Sequence, residues 1–251
     1  MAGSIVNKRY IHLFFYIILI EVVLLGCSSG GDDPAPNITT PINTPTSQSL
    51  SGGGVKGPLA NAVVTVFTFE PAQTGFKGAA IATASTDANA AVTGLSLPFP
   101  LNPPYIMEFT STPGTTIDIT TGMFPVITTM RTVITAEMLT GGGQIYTTPL
   151  TTMAVDLAVK HADSNVSPYS GNSDGAVTEA EFIAALQVAA SQVVSTVGFG
   201  MSGDIDIFNA PPLVNDSTDT EAELTEVASY RTAVEALTAV VYNMAVDAGL
   251  A

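Results

Sequence analysis

The run Val63-Val64-Thr65-Val66-Phe67-Thr68-Phe69 decides how this chain is read. Its β-branched and aromatic residues are strand formers, and a period of two places Val63, Phe67 and Phe69 on one face. Further strand-like runs follow at Ala79 to Ser85, Ala91 to Leu97, Tyr105 to Ser111, Thr115 to Thr120 and Met130 to Thr135. Turn formers separate them: Asp87-Ala88-Asn89, Pro98 to Pro104, Pro113-Gly114 and Gly122. Short strands with this punctuation predict a small antiparallel β-sandwich over residues 55–140.

Beyond Gly141-Gly142-Gly143 the texture becomes helical, and residues 141–251 are expected to form an acidic three-helix region. Thr148 can cap a first helix with Pro149 at its first position, and Leu150, Met153 and Leu157 follow at helical spacing as far as Lys160 or His161. Thr178-Glu179-Ala180-Glu181 has the form of a capping box. It predicts a second helix through Phe182, Leu186, Ala189, Val193 and Val197 to Gly198. Thr220-Glu221-Ala222-Glu223 opens a third in the same way, with Leu224, Val227, Arg231, Val234, Leu237, Val241 and Met244 along one face and an end near Gly249. The fold class expected is α+β, with the helices either sharing a core or covering one face of the sandwich.

Residues 27–54 are almost wholly Ser, Gly, Pro, Thr, Asn and Asp, a composition that orders itself poorly. They are expected to be a disordered tether, long enough as a flexible coil to hold the folded part about 30 Å from its attachment. Residues 1–26 read as an export signal, with Lys8 and Arg9 ahead of an apolar core from Tyr10 to Leu25. That core is short for a membrane span and carries His12 and Glu21. The segment Leu24-Leu25-Gly26-Cys27 resembles the lipobox of bacterial lipoproteins. The resemblance implies cleavage before Cys27, lipid on its sulfur, and attachment to a membrane in the cell envelope. Glu21 departs from the usual pattern, and an uncleaved signal anchor is the alternative. Cys27 is the only cysteine, so no intramolecular disulfide can form. Ser28 stands where an Asp would resemble an inner-membrane retention signal, which favours the outer membrane in a Gram-negative host.

A second resemblance lies at Val55-Lys56-Gly57-Pro58-Leu59-Ala60-Asn61-Ala62-Val63-Val64-Thr65-Val66, followed by Thr83-Ala84-Ser85-Thr86-Asp87-Ala88-Asn89. These residues look like the bacterial carboxypeptidase-regulatory-like (transthyretin-like) domain. Ala90 stands where that family usually has glycine. The resemblance implies a structural or interaction module without peptidase activity.

The stretch from Asp163 to Glu181 resembles an EF-hand or dockerin-type calcium loop when aligned on Gly175. The resemblance places Ser170, Asn172 and Asp174 at positions one, three and five. The Ala176 carbonyl, Thr178 and Glu181 then fall at seven, nine and twelve. Ser170 replaces the usual Asp, and Asp163 is the residue that would fold in over the intervening Ser164 to Gly171. The same letters also make a good turn, Asn172-Ser173-Asp174-Gly175, followed by the capping box.

Charge narrows the partners. Without residues 1–26 the chain carries 5 basic and 21 acidic residues, and from His161 onward there are 13 acids against Arg231 alone. Such a surface disfavours nucleic acid and suits cations. Beyond residue 26 the only histidine is His161, and no CxxC or HExxH stands in the chain. The glycine runs at 52–54 and 141–143 lack the Lys-Ser or Lys-Thr of a phosphate loop and read as linkers. Asp204 and Asp206, in Gly203-Asp-Ile-Asp-Ile-Phe, read as a turn, with acid-base or cation chemistry as the alternative. The expectation is therefore a non-catalytic, lipid-anchored envelope protein that binds or supports an envelope protein or polysaccharide. A calcium-binding module and, behind it, a carboxylate-based hydrolase are the alternatives.

Overall fold

Alternation of side chains builds the central sheet. In the computed structural model, which describes residues 46–55, 58–142, 144–215 and 218–249, the decisive run is strand β4 (Val63–Phe69), preceded by β1 (Ser47–Ser49), β2 (Gly52–Gly54) and β3 (Leu59–Ala60). After it come β5 (Lys77–Thr86), β6 (Val92–Thr93), β7 (Ser96–Pro98), β8 (Tyr105–Thr110), β9 (Ile117–Asp118) and β10 (Thr129–Ile134). Strands β10-β8-β4-β5-β6 form one antiparallel sheet, and β3 pairs with β9 apart from it. The region read as one strand from Ala91 to Leu97 is two short ones, split where Gly94 takes φ +73°.

The two faces of the sheet bury different cores. Val64, Val66, Tyr105, Met107, Phe109, Met130 and Ile134 point to one side, where Leu59, Leu95, Leu97 and Ile145 complete a cluster. Phe67, Phe69, Ile106 and Val133 point to the other and meet helices. The fold is thus α+β, and a layer of helices takes the place of a second full sheet on one face. Within β4 the alternation survives a bulge in its pairing with β5 between Val66 and Phe67.

The helices are α1 (Ala136–Gly141), α2 (Pro149–His161), α3 (Glu179–Val197) and α4 (Glu221–Asp247), with β11 (Ile145–Thr147) between the first two. Thr148, Thr178 and Thr220 cap the three long helices as their sequences predict, each accepting a hydrogen bond from the backbone N–H three residues on. Helix α1 was not expected. Helix α2 also closes the sheet's edge, since β10 is a terminal strand. The Arg131 N–H donates to Thr152 Oγ1 at 2.9 Å, and Thr151 Oγ1 donates to the Arg131 carbonyl at 2.8 Å. These bonds cover backbone groups that an open edge would leave available for pairing.

Three sequence expectations require correction. The tether drawn over residues 27–54 ends earlier, because β1 pairs with β7 and β2 runs parallel to β11. Composition missed this since the order comes from backbone hydrogen bonds and from the lack of side chains. A Cβ on Gly52 would lie 1.7 Å from the Ile145 carbonyl oxygen, and one on Gly54 would lie 2.7 Å from the Phe109 ring. The glycines at 141 and 142 are likewise no linker: Gly141 closes α1, and Gly142, at φ +63°, caps it in the left-handed region. Third, no packing boundary falls between residues 140 and 141, for the described residues belong to one compact unit. Ile106 and Val133 of the sheet share a core with Leu150, Ala154 and Phe182 of the helices. The leader at residues 1–26, the lipidation site Cys27 and the tether as far as residue 45 lie outside the described residues.

The turn formers Asp87-Ala88-Asn89 do turn the chain after β5. Asp87 Oδ1 accepts the N–H groups of Asn89 and Ala91 at 2.8 and 3.0 Å. Ala90 takes φ +64°, a left-handed conformation that glycine adopts without steric cost.

Candidate functional site

The loop joining α2 to α3 gathers the polar side chains singled out in the sequence. Its start is pinned by aromatic packing: the His161 ring in the last turn of α2 stacks on Tyr169 with centroids 4.8 Å apart. The Tyr169 hydroxyl donates to Gln192 Oε1 on α3 at 2.7 Å, and burial pushes its pKa upward. Gly171 then passes so close to the Ala162 carbonyl oxygen that a Cβ would lie 2.3 Å from it. This close approach carries the chain back alongside Asp163.

Asp163 does reach over the intervening residues. Its Oδ1 accepts the Asp174 N–H at 3.0 Å and its Oδ2 the Gly175 N–H at 3.1 Å, while its carbonyl accepts the Ser173 N–H. Gly175 takes φ +84°, the sharp turn required at that point. Asp174 Oδ1 accepts the Ala176 N–H at 2.8 Å, and Asp174 Oδ2 accepts from the Asn172 side-chain amide at 2.9 Å. Asn172 Oδ1 accepts the Asp174 N–H in turn.

Glu181 closes the arrangement. Its Oε2 accepts both the Thr178 N–H and the Thr178 hydroxyl, at 2.9 and 2.8 Å, and its Oε1 accepts the Asn172 N–H at 3.0 Å. The Thr178 backbone N–H, then the Thr178 hydroxyl, hold its pKa below the ordinary carboxylate value. One carboxylate thus completes a helix cap and also clasps a loop residue nine positions earlier.

The structure brings Asp163, Asn172, Asp174, Thr178 and Glu181 into one hydrogen-bonded chain. Ser170 stands exposed at the loop surface, and no hydrogen bond ties the Ala176 carbonyl into the chain. The carboxylates face N–H and hydroxyl donors. Among the described residues no three His, Cys, Asp or Glu side chains gather closely enough to hold a metal ion. Calcium bound here would have to displace several of these charge-assisted hydrogen bonds.

A second polar cluster escaped the sequence reading. Glu108 on β8, largely buried, accepts from Lys77 Nζ at 2.8 Å and from Arg131 Nε at 2.9 Å, and Arg131 Nη1 reaches Asp156 Oδ1 on α2 at 2.8 Å. The chain of charges links β5, β8, β10 and α2 on the helix side of the sheet. Its signal was available, since Glu108 and Arg131 each interrupt an apolar strand and pair directly across the sheet. Both acids and both bases are mutually engaged, so the cluster reads as a fastening between layers. Asp206 holds its own turn, its Oδ1 accepting the Phe208 N–H at 2.9 Å and its Oδ2 the Asn209 side-chain amide at 2.7 Å.

Compared with known protein families, with curated proteins and with solved structures, the chain matches none.

Proposed function

We propose that this chain is a non-catalytic, lipid-anchored protein of the bacterial cell envelope that binds or supports another envelope component. The observation that carries the reading is Cys27, the sole cysteine, standing in Leu24-Leu25-Gly26-Cys27 directly after an apolar export core. A stable anchor needs more than one acyl chain, and a diacylated, N-acylated cysteine supplies them. The acidic surface argues against nucleic acid as the partner, and an envelope protein or polysaccharide is the class that fits. Ser28 favours the outer membrane if the host has one. Support for the non-catalytic part comes from His161, the one histidine beyond the leader, whose ring stacks on Tyr169 in a structural contact.

Cells grown with labelled palmitate test the anchor. Label is expected in the wild type and not in Cys27→Ala, and a mature N-terminus at Cys27 is expected by mass spectrometry; equal labelling of both proteins would overturn it. Cross-linking on intact cells tests the partner. A hydrolytic activity in the purified protein, with nothing cross-linked, would reverse the ranking.

The reach of Asp163 to Asp174 and Gly175 favours a second reading, in which calcium binds weakly within residues 163–181 and stiffens the junction of α2 and α3. Asp163, Asp174, the Ala176 carbonyl and Glu181 would supply oxygens, with Ser170, Asn172 and Thr178 at the remaining positions. A melting temperature that rises with millimolar calcium and falls with chelator in the wild type, but not in Glu181→Gln, is the result expected of it. Indifference in the wild type would exclude it.

A further inference from the structure

A cavity of about 780 Å³ opens between α1, α3 and the segment 203–209. Its lining along α3 is mainly apolar: Ile183, Leu186, Ala190 and Val194 follow one stripe, interrupted by Gln187 and Ser191, and Phe208 and Met138 add to it. The wall runs along α3 from Glu179 to Val194, which at helical rise is about 22 Å, the length of four turns of a docked helix. This volume lies within the range of natural binding pockets, about 300–1,000 Å³.

The rim carries one sign of charge. Glu137, Glu179, Asp204 and Asp206 all border the cavity, and no Lys, Arg or His does. Among the described residues none of the four takes part in an ion pair. Glu137 and Glu179 lie in the first turns of α1 and α3, where the helix dipole favours a negative charge. Asp204 has no such local reason, and the donors that hold Asp206 are neutral, so its charge is not cancelled. A mainly apolar lining beneath an uncompensated acidic rim selects against anions. It equally selects against a bare metal ion, which would leave the lining unused. A second copy of this chain, itself strongly acidic, is disfavoured by the same repulsion.

We infer that this groove docks a basic amphipathic segment of a partner protein, with apolar side chains on the α3 stripe and Lys or Arg against the acidic rim. The inference rests on the reading that the chain binds another envelope component and adds the site and the chemistry of the partner.

The test uses the full chain in nanodiscs of zwitterionic phosphatidylcholine, with empty discs as the blank. The probe is a labelled 14-residue helix-forming peptide with leucine on one face and lysine on the other, followed by fluorescence anisotropy. Saturable, salt-sensitive binding is expected. It should weaken about tenfold when Glu137→Gln, Glu179→Gln and Asp204→Asn are combined, as expected for three screened ion pairs. Ile183→Ser should weaken it separately, whereas Glu70→Gln, Glu221→Gln and Glu226→Gln combined should leave it within about twofold. Asp206 is spared because it holds its own turn. Equal loss in both triple variants would mean attraction to net charge alone and would overturn the proposal. So would equal binding of the same peptide with glutamate in place of lysine, an absence of saturable binding, or a self-association of the chain that the rim variants abolish. Palmitate labelling is read independently, so a failed anchor and a failed groove give different results.

Discussion

Helices α3 and α4 begin with nearly the same five letters after their caps' first contact, Thr178-Glu179-Ala180-Glu181-Phe182 and Thr220-Glu221-Ala222-Glu223-Leu224. Both build a reciprocal capping box with the same donors and acceptors. Their surroundings then diverge. Phe182 is wholly buried, stacking on Phe69 at 5.0 Å and meeting Phe76 edge-on at 5.4 Å, while Leu224 at the same helical position is 45 % exposed. Glu181 clasps Asn172 across the loop, whereas Glu223 reaches only to Asp219, one residue before its own cap. Farther along, α3 buries Leu186, Ala189 and Val193, but α4 leaves Val240, Tyr242, Met244 and Val246 in solvent. Local grammar sets where a helix starts; the neighbours decide what that start holds together.

The sharpest break in this comparison is expected from Phe182→Ala, which removes the centre of an aromatic group and should cost about 3–5 kcal/mol in urea denaturation. For α4 the deepest attachment is Tyr230, fully buried, whose hydroxyl donates to the Ile207 carbonyl at 2.8 Å and lies 3.1 Å from Thr148 Oγ1. Burial first, then the nearby Asp206 charge, push its pKa far upward against the opposing Thr148 hydrogen bond, so the phenol stays protonated. Tyr230→Phe strands the Ile207 carbonyl and should cost about 1–3 kcal/mol, seen in the same assay.

Cap removal comes next. Thr178→Ala and Thr220→Ala should each lose about 1 kcal/mol, with the larger loss at Thr178 because its partner Glu181 also fixes the loop. Hydrogen exchange should show Asn172 opening in the first variant only. Acid titration probes the same pair. Both Glu181 and Glu223 have pKa values lowered in the folded state, chiefly by the Thr178 N–H and by the Thr220 hydroxyl respectively. Their contribution is therefore present above the ordinary carboxylate value and lost as the pH falls through the lowered folded values. A melting temperature followed from pH 6 to pH 2.5 should decline less steeply at the acid end in the variant with both Glu181→Gln and Glu223→Gln. Least affected should be Leu224→Ala, within about 0.5 kcal/mol of wild type by thermal melting. A loss matching that of Phe182→Ala would erase the contrast.

What could be read beforehand was local. The strand at Val63–Phe69 followed from alternation, and three helix starts followed from Thr caps, with Pro149 after the first and Glu three residues on in the other two. The Asp163 reach was readable as an option, because a glycine at 171 and another at 175 allow the chain to double back. Long-range partners were not readable. Nothing near Tyr230 in sequence points to the Ile207 carbonyl, and the cross-strand meeting of Glu108 with Arg131 depends on register. The glycines at 52–54 were misread for a physical reason: patterning counts side chains, and here the requirement is for none.

That glycine strand also fixes how the fold would carry load. β2 runs parallel to β11, with the Ile145 N–H donating to the Ser51 carbonyl and the Val55 N–H donating to the Thr147 carbonyl. A pull entering from the N-terminal side of β2, resisted by α2 beyond the far end of β11, strains both bonds together in shear instead of opening them in turn. Under the anchor proposed at Cys27, tension from the surface would meet the pairing of β1 with β7 first and this parallel seam next.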